Sequence, residues 1–127
     1  TTGRPRRVGW LDLVQVRQAV RVNGLTEIAL TKLDVLNGFK KLSVCVAYDV
    51  NGEHITEMPA SLTQYRKAKP IYETLPCWGD FPDNIWDKGF NALPDTLKDY
   101  IAFIERAVDC PIKIVSVGPQ RHETIIR

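Results

Sequence analysis

The 127-residue sequence has only three cysteines, Cys45, Cys77 and Cys110, widely spaced and without a CxxC pair. An odd, scattered set of this kind excludes a disulfide framework, so the three read as free thiols of an intracellular protein, placed in its core. Two histidines, His54 and His122, stand apart from one another and from the cysteines, so no metal-ligand spacing is present. No apolar run approaches the length of a bilayer span and no signal peptide is seen, and the expected location is cytoplasmic, away from any membrane. The sequence has no GxxxxGK[ST] and no other glycine-rich phosphate loop. Ser–His–Asp and Cys–His arrangements are equally missing, and no catalytic residue is assigned. A net charge of +2 is too small to argue for nucleic acid.

What is there is ordinary in bulk and specific in detail. With 44% hydrophobic and 25% charged residues, the chain is one globular domain or a piece of a larger one. It opens on Thr1-Thr2-Gly3-Arg4 without a methionine, in mid-motif, which is the expectation for a fragment or a processed chain. Residues 1–9, TTGRPRRVG, form a Gly/Pro/Arg loop in which Arg4 and Arg6 offer planar forks suited to carboxylate or phosphate. The same loop reads either as a nest for a small anion or as a mobile basic arm. Through Arg4, Arg6 and Arg7 it also supports an alternative function, a non-enzymatic basic binding module.

Asp12 is placed as the N-cap of a helix over 13–23, stopped at Gly24. Leu13, Val16 and Val20 form its apolar stripe, with Arg17 and Arg21 on a solvated face. Residues 27–33 read as a strand. Asn51-Gly52 between 42–48 and 54–56 signals a hairpin, with His54 exposed. A helical turn is expected at 61–66, an extended run at 70–76, and an aromatic loop from Cys77 to Pro94 whose rings pack under it in preference to stacking on a base. A second helix over 95–109 carries Leu97, Ile101, Ile104 and Val108. A strand over 112–118 and an edge strand over 123–127 complete an α/β fold: a mixed β-sheet with flanking helices.

The most specific stretch is Thr31-Lys32-Leu33-Asp34 at the end of the first strand, followed by the turn-forming Asn37-Gly38. A carboxylate just past a buried strand is costly unless it binds something. Guanine presents its ring N–H and exocyclic amine as adjacent donors that one carboxylate accepts together, and GTPases use Asn/Thr-Lys-x-Asp at a strand end for that purpose. A solvated lysine beside a turn-capping aspartate is the alternative. Ser116-Val117-Gly118-Pro119 ends the other strand in a second polar turn. If the two strands are parallel, both turns fall on one sheet edge, outside the carboxyl ends where α/β sheets bind ligands. Amides around 116–118 would then face the guanine O6 and the Lys32 stem would lie over the ring. A chain that grips a base but has no phosphate loop needs the rest of its site from another segment.

The blocks TTGRPRRVGWLD, LTKLDVLNG, PIYETLPCW and SVGPQR followed by ET run in order along essentially the whole chain and together resemble the C-terminal part of adenylosuccinate synthetase. That resemblance implies a GTP-dependent carbon–nitrogen ligase of AMP biosynthesis that joins IMP and L-aspartate. It implies transfer of the GTP γ-phosphoryl group to O6 of IMP, then displacement of phosphate at C6 by the aspartate amino group. Thr1, Thr2, Gly3, Arg4, Pro5 and Arg6 inherit an L-aspartate role, Arg4 also an IMP contact and Arg6 a GTP contact. Lys32, Leu33 and Asp34, with Ser116, Val117 and Gly118, inherit the guanine nucleotide. The implied Mg²⁺ ligands and the catalytic Asp and His belong to an N-terminal part outside this chain, so the segment alone is expected to be inactive. The resemblance further implies a homodimer of the full-length protein, and it leaves one departure, Cys77 where the family more often has glycine before Trp78.

Overall fold

A computed structural model describes Gly3 and residues 9–127. Thr1, Thr2, Arg4, Pro5 and Arg6, the residues assigned to aspartate, IMP and GTP in the opening loop, therefore lie outside the described residues, except for Gly3. Strand β1 (Leu11–Asp12) leads straight into helix α1 (Leu13–Asn23), whose start is fixed by Asp12. Its Oδ1 accepts from the Val14 and Gln15 amides at 2.9 and 3.2 Å, two of the donors that a helix start leaves free. Gly24, at φ 60°, closes the helix in the left-handed conformation that glycine adopts without steric cost.

The chain then builds β2 (Ile28–Leu30), β3 (Lys41–Val50), β4 (Glu53–Ile55), α2 (Leu62–Lys67), β5 (Lys69–Pro76), α3 (Asp95–Val108), β6 (Ile112–Ser116) and β7 (Thr124–Ile126). Asn51 and Gly52, both at positive φ, turn the β3–β4 hairpin as their sequence requires. Two mixed sheets form where one was expected. In the first, β3 pairs with β5 along its whole length, and with parallel β1 and antiparallel β4 at its two ends. The second has the order β2-β6-β7, with β2 parallel to β6 and β7 antiparallel. β2 and β6 pair with one another and not with β3.

One core joins the sheets. Leu97, Ile101, Ile104 and Val108 of α3 pack with Leu13, Leu42, Val44, Ile112 and Val115, all nearly or fully buried. The aromatic segment after β5 closes this core instead of standing apart from it: Trp78 is buried, and Phe81, Trp86 and Phe90 pack against the cluster. Arg17 departs from the solvated face assigned to it. Its guanidinium donates to the carbonyls of Ala107 (2.9 Å) and Thr56 (2.5 Å), tying α1 to the end of α3. Arg21 is exposed and pairs with Glu57. The cysteines are free thiols, Cys45 and Cys110 buried and Cys77 half-buried. Burial raises the Cys45 thiol pKa, and the nearby Asp12 charge adds to the shift. Among the described residues no helix is long and apolar enough to cross a membrane.

Candidate functional site

The parallel pairing of β2 with β6, Ala29 opposite Ile114 and Leu30 opposite Val115, ends both strands at the same edge. Residues 31–34 leave that edge from β2 and residues 116–119 leave it from β6. Between them lies a cleft of about 460 Å³ lined by Thr31, Lys32, Asp34, Val35, Ser116, Gly118 and Pro119. Its size is that of a small-molecule site. The structure thus brings together two sequence segments about 80 residues apart (116 against 34) that were singled out for the same ligand.

The first turn is not the strand extension read from sequence. After Leu30 the chain enters a 3₁₀ turn, Leu33–Leu36, preceded by Lys32 at φ 62° and ψ 33°. A lysine in the left-handed region is uncommon and carries a steric cost of roughly 1–2 kcal/mol. The reversal sends Leu33 down into the core, where it is 1% exposed, and leaves Asp34 half-buried at the cleft. Whatever Leu33 offers a ligand is therefore main-chain. Among the described residues, no hydrogen bond or ion pair engages the Asp34 carboxylate. Its own carbonyl accepts from the Asn37 amide at 3.1 Å, which sets the turn.

Beneath this turn a small network holds it to the segment after β5. The Trp78 indole N–H donates to Asn37 Oδ1 at 2.8 Å, the Cys77 thiol donates to the Leu36 carbonyl at 3.1 Å, and the Gly38 amide donates to the Trp78 carbonyl at 3.4 Å. The Trp78 ring packs on Tyr100, centroids 5.4 Å apart. Burial pushes the Tyr100 phenol up to about 12, with Cys77 adding to the shift. Cys77 is thus a hydrogen-bond donor to the turn itself.

The second turn is held differently. Val117 is buried, its amide donating to the Glu123 carbonyl at 2.9 Å, and the Ser116 hydroxyl donates to the Gly118 carbonyl at 3.1 Å. Of the amides expected to face the cleft, Val117's is therefore taken. Pro119 has none, and Gly118's has no partner among the described residues. Glu123, to which the sequence analysis gave no role, holds this turn from behind. The only sequence sign of it was its place in the SVGPQR–ET block.

A larger opening of about 760 Å³ adjoins the cleft at Lys32 and Val35 and is bordered by Trp10, Leu36, Phe39 and Tyr72. Lys32 is the only charged group on its wall among the described residues. Among the described residues, no group of three or more His, Cys, Asp or Glu side chains is placed to hold a metal ion. They do not fit a Mg²⁺ site, and no chemistry of this segment is routed through one.

The family profile described as adenylosuccinate synthetase matches residues 1–125. The chain belongs to the adenylosuccinate synthetase family. It is 49% identical over 126 residues to the adenylosuccinate synthetase of Geobacter sulfurreducens and 52% identical over 126 residues to that of Citrifermentans bemidjiense. In each comparison 99% of this chain is covered and 29% of the relative, so the chain spans under a third of the relatives' length. Among solved structures it is similar to the fully ligated adenylosuccinate synthetase from Plasmodium falciparum, with TM-score 0.87 and 34% identity over 100% of this chain and 30% of that one. The mixed α/β architecture is thus the family's. These matches do not support the C-terminal placement expected from the sequence.

Proposed function

We propose that this chain is the base-recognition and aspartate-recognition part of a GTP-dependent ligase that joins IMP and L-aspartate. The observation that carries this reading is the cleft between parallel β2 and β6, lined by Asp34 and Gly118, whose carboxylate and amide have no partner among the described residues. In the cleft, Asp34 accepts from the guanine ring N–H and exocyclic amine, Gly118 N–H donates to O6, and the Lys32 stem covers the ring. Leu33 and Val117 contribute backbone only, and Ser116 sets the turn. Adenine presents an acceptor where guanine has its ring N–H, so Asp34 rejects it by repulsion between lone pairs.

Thr1, Thr2, Gly3, Arg4, Pro5 and Arg6 take the substrate role that the family resemblance gives them. The Arg4 and Arg6 forks neutralise and orient the aspartate carboxylates, with Arg4 reaching IMP and Arg6 reaching GTP. The complete protein moves the γ-phosphoryl group from GTP to O6 of IMP, leaving GDP. The aspartate amine then attacks C6, phosphate leaves, and a proton is released from the nitrogen. This segment supplies position and charge neutralisation to those steps. The phosphate loop, the acid–base pair and the Mg²⁺ ligands come from the remainder of the protein, a cytoplasmic homodimer in this reading.

The direct test is nucleotide discrimination by the complete protein. GDP must bind more tightly than ADP, and Asp34→Asn should weaken GDP by about 1.5–3 kcal/mol, a charged hydrogen-bond loss. Equal binding of GDP by that variant would refute the role of Asp34. The 127-residue chain by itself should form no adenylosuccinate from IMP, aspartate and GTP, and measurable product would overturn that division of labour.

A further inference from the structure

Glu123 makes three hydrogen bonds in the loop after β6, one with Val117 and two with Gln120. Its carbonyl accepts from the Val117 amide at 2.9 Å, its amide donates to the Gln120 carbonyl at 3.0 Å, and its carboxylate Oε2 accepts from the Gln120 amide at 2.6 Å. The loop 117–123 is thereby closed on itself from both main chain and side chain, and β7 continues from it in register, Ser116 opposite Thr124. The same carboxylate lies flat against the Gly118 α-carbon. A methyl group built there would sit 2.4 Å from Oε2, 2.5 Å from Cδ and 2.8 Å from Oε1, closer than any real contact. Gly118 is not at positive φ, so an alanine here meets no backbone strain and would have to push the end of the Glu123 side chain aside.

From this packing we infer that Glu123 is a positioning residue of the nucleotide site, holding the Gly118 peptide so that its N–H remains free for the base. The inference rests on the guanine reading of the cleft and adds the element that sets its O6 side. With Val117 N–H engaged by Glu123, Ser116 Oγ on the Gly118 carbonyl and the carboxylate packed on the third side, the Gly118 amide is a donor with no partner among the described residues. A half-buried glutamate with a bound amide on one oxygen is stiff in a way that a solvated one is not. Removing its carboxylate frees the loop to rotate that peptide and blunts its aim at O6, without touching Asp34.

Two nucleotides separate the two halves of the clamp. Inosine keeps O6 and the ring N–H but lacks the exocyclic amine that Asp34 reads, so GTP and ITP differ on the Asp34 side and match on the Gly118 side. In the complete protein, Glu123→Ala should raise KM for GTP and for ITP together, about five- to tenfold as expected for one lost hydrogen bond, with kcat retained. Asp34→Asn should instead narrow the preference for GTP over ITP. Glu123→Gln, whose amide oxygen can still accept from Gln120, should stay within about twofold of the parent for both nucleotides. Gly118→Ala displaces the Glu123 carboxylate and should raise KM, and should raise it less when made in the Glu123→Ala background, a coupling that simple loss of folding does not produce. Unchanged KM values in Glu123→Ala, or a collapse of the GTP/ITP ratio there, would overturn the role of Glu123. Failure of the parent to prefer GTP over ATP would overturn the guanine reading beneath it.

Discussion

Residues 31–34 and 116–119 leave one sheet edge side by side, yet they are built in opposite ways. The first turn contains a strained lysine, is anchored by the buried Leu33 and by bonds from Cys77 and Trp78 just beyond it, and presents a carboxylate that nothing in the described residues engages. The second contains no strained residue, is closed by main-chain and side-chain bonds to Glu123 and Ser116, and presents only a peptide N–H. Recognition through a side chain needs a backbone reversal that aims it. Recognition through an amide needs every neighbouring peptide group held still. The two turns should therefore respond to different insults.

The largest separation is expected from Leu33→Ala. Leu33 is the apolar anchor of the first turn, and truncating a core leucine costs about 2–5 kcal/mol from lost burial and the cavity left behind. Urea unfolding should show that loss, and amide exchange should rise in residues 31–38 more than in 116–123. Equal acceleration in both turns would mean that they share one anchor, against the packing described.

Alkali should find the first turn next. Tyr100 supports Trp78, which holds Asn37, and its folded pKa of about 12 lies above the ordinary 10.0 because burial disfavours the phenolate. Below pH 10 both folded and unfolded chains keep the proton, so its contribution is complete. Between pH 10 and 12 the unfolded chain releases the proton while the folded one retains it, and stability falls by on the order of 2–3 kcal/mol. Tyr48, raised by burial and by its bond to Asp12, falls in the same direction from the other sheet. Tyr100→Phe should flatten the alkaline limb in part, leaving the Tyr48 share, and an unaltered limb would remove Tyr100 from the account.

The same contrast governs what was legible in the sequence. Local rules gave the ends of α1, because Asp12 and Gly24 are capping residues by chemistry, and the β3–β4 hairpin, because Asn-Gly at positive φ suits its turn. The pairing of the two polar turns was expected only if their strands ran parallel, which they do. What escaped was set by contacts distant in sequence. Strand β1, two residues long, has no periodicity to read. Arg17 binds carbonyls of residues 56 and 107, and a carbonyl has no residue signature. Reading 27–33 as strand missed the 3₁₀ turn, since the apolar Leu33 continues the strand's pattern while its burial comes from the core cluster it joins. Glu123 was hidden for the same reason: its partners are peptide groups and the α-carbon of a glycine.

The smallest effect is the one that isolates the backbone of the first turn. Lys32 holds φ 62°, so Lys32→Gly removes a steric penalty of roughly 1–2 kcal/mol. It also adds freedom to the unfolded chain worth about 0.5–1 kcal/mol. The balance is a stabilisation of between zero and about 1.5 kcal/mol, from the difference of those two terms. Lys32→Ala keeps the β-carbon and the penalty and should gain nothing, so the glycine–alanine difference in urea midpoint measures the strain directly. Both variants lose the stem over the base and should weaken GDP alike. A glycine variant that is more stable yet binds no better would show that the turn holds its strain in order to place a side chain. A glycine variant less stable than alanine would mean that the reversal is set from outside the turn, and the contrast with residues 116–119 would then reduce to the Asp34 carboxylate alone.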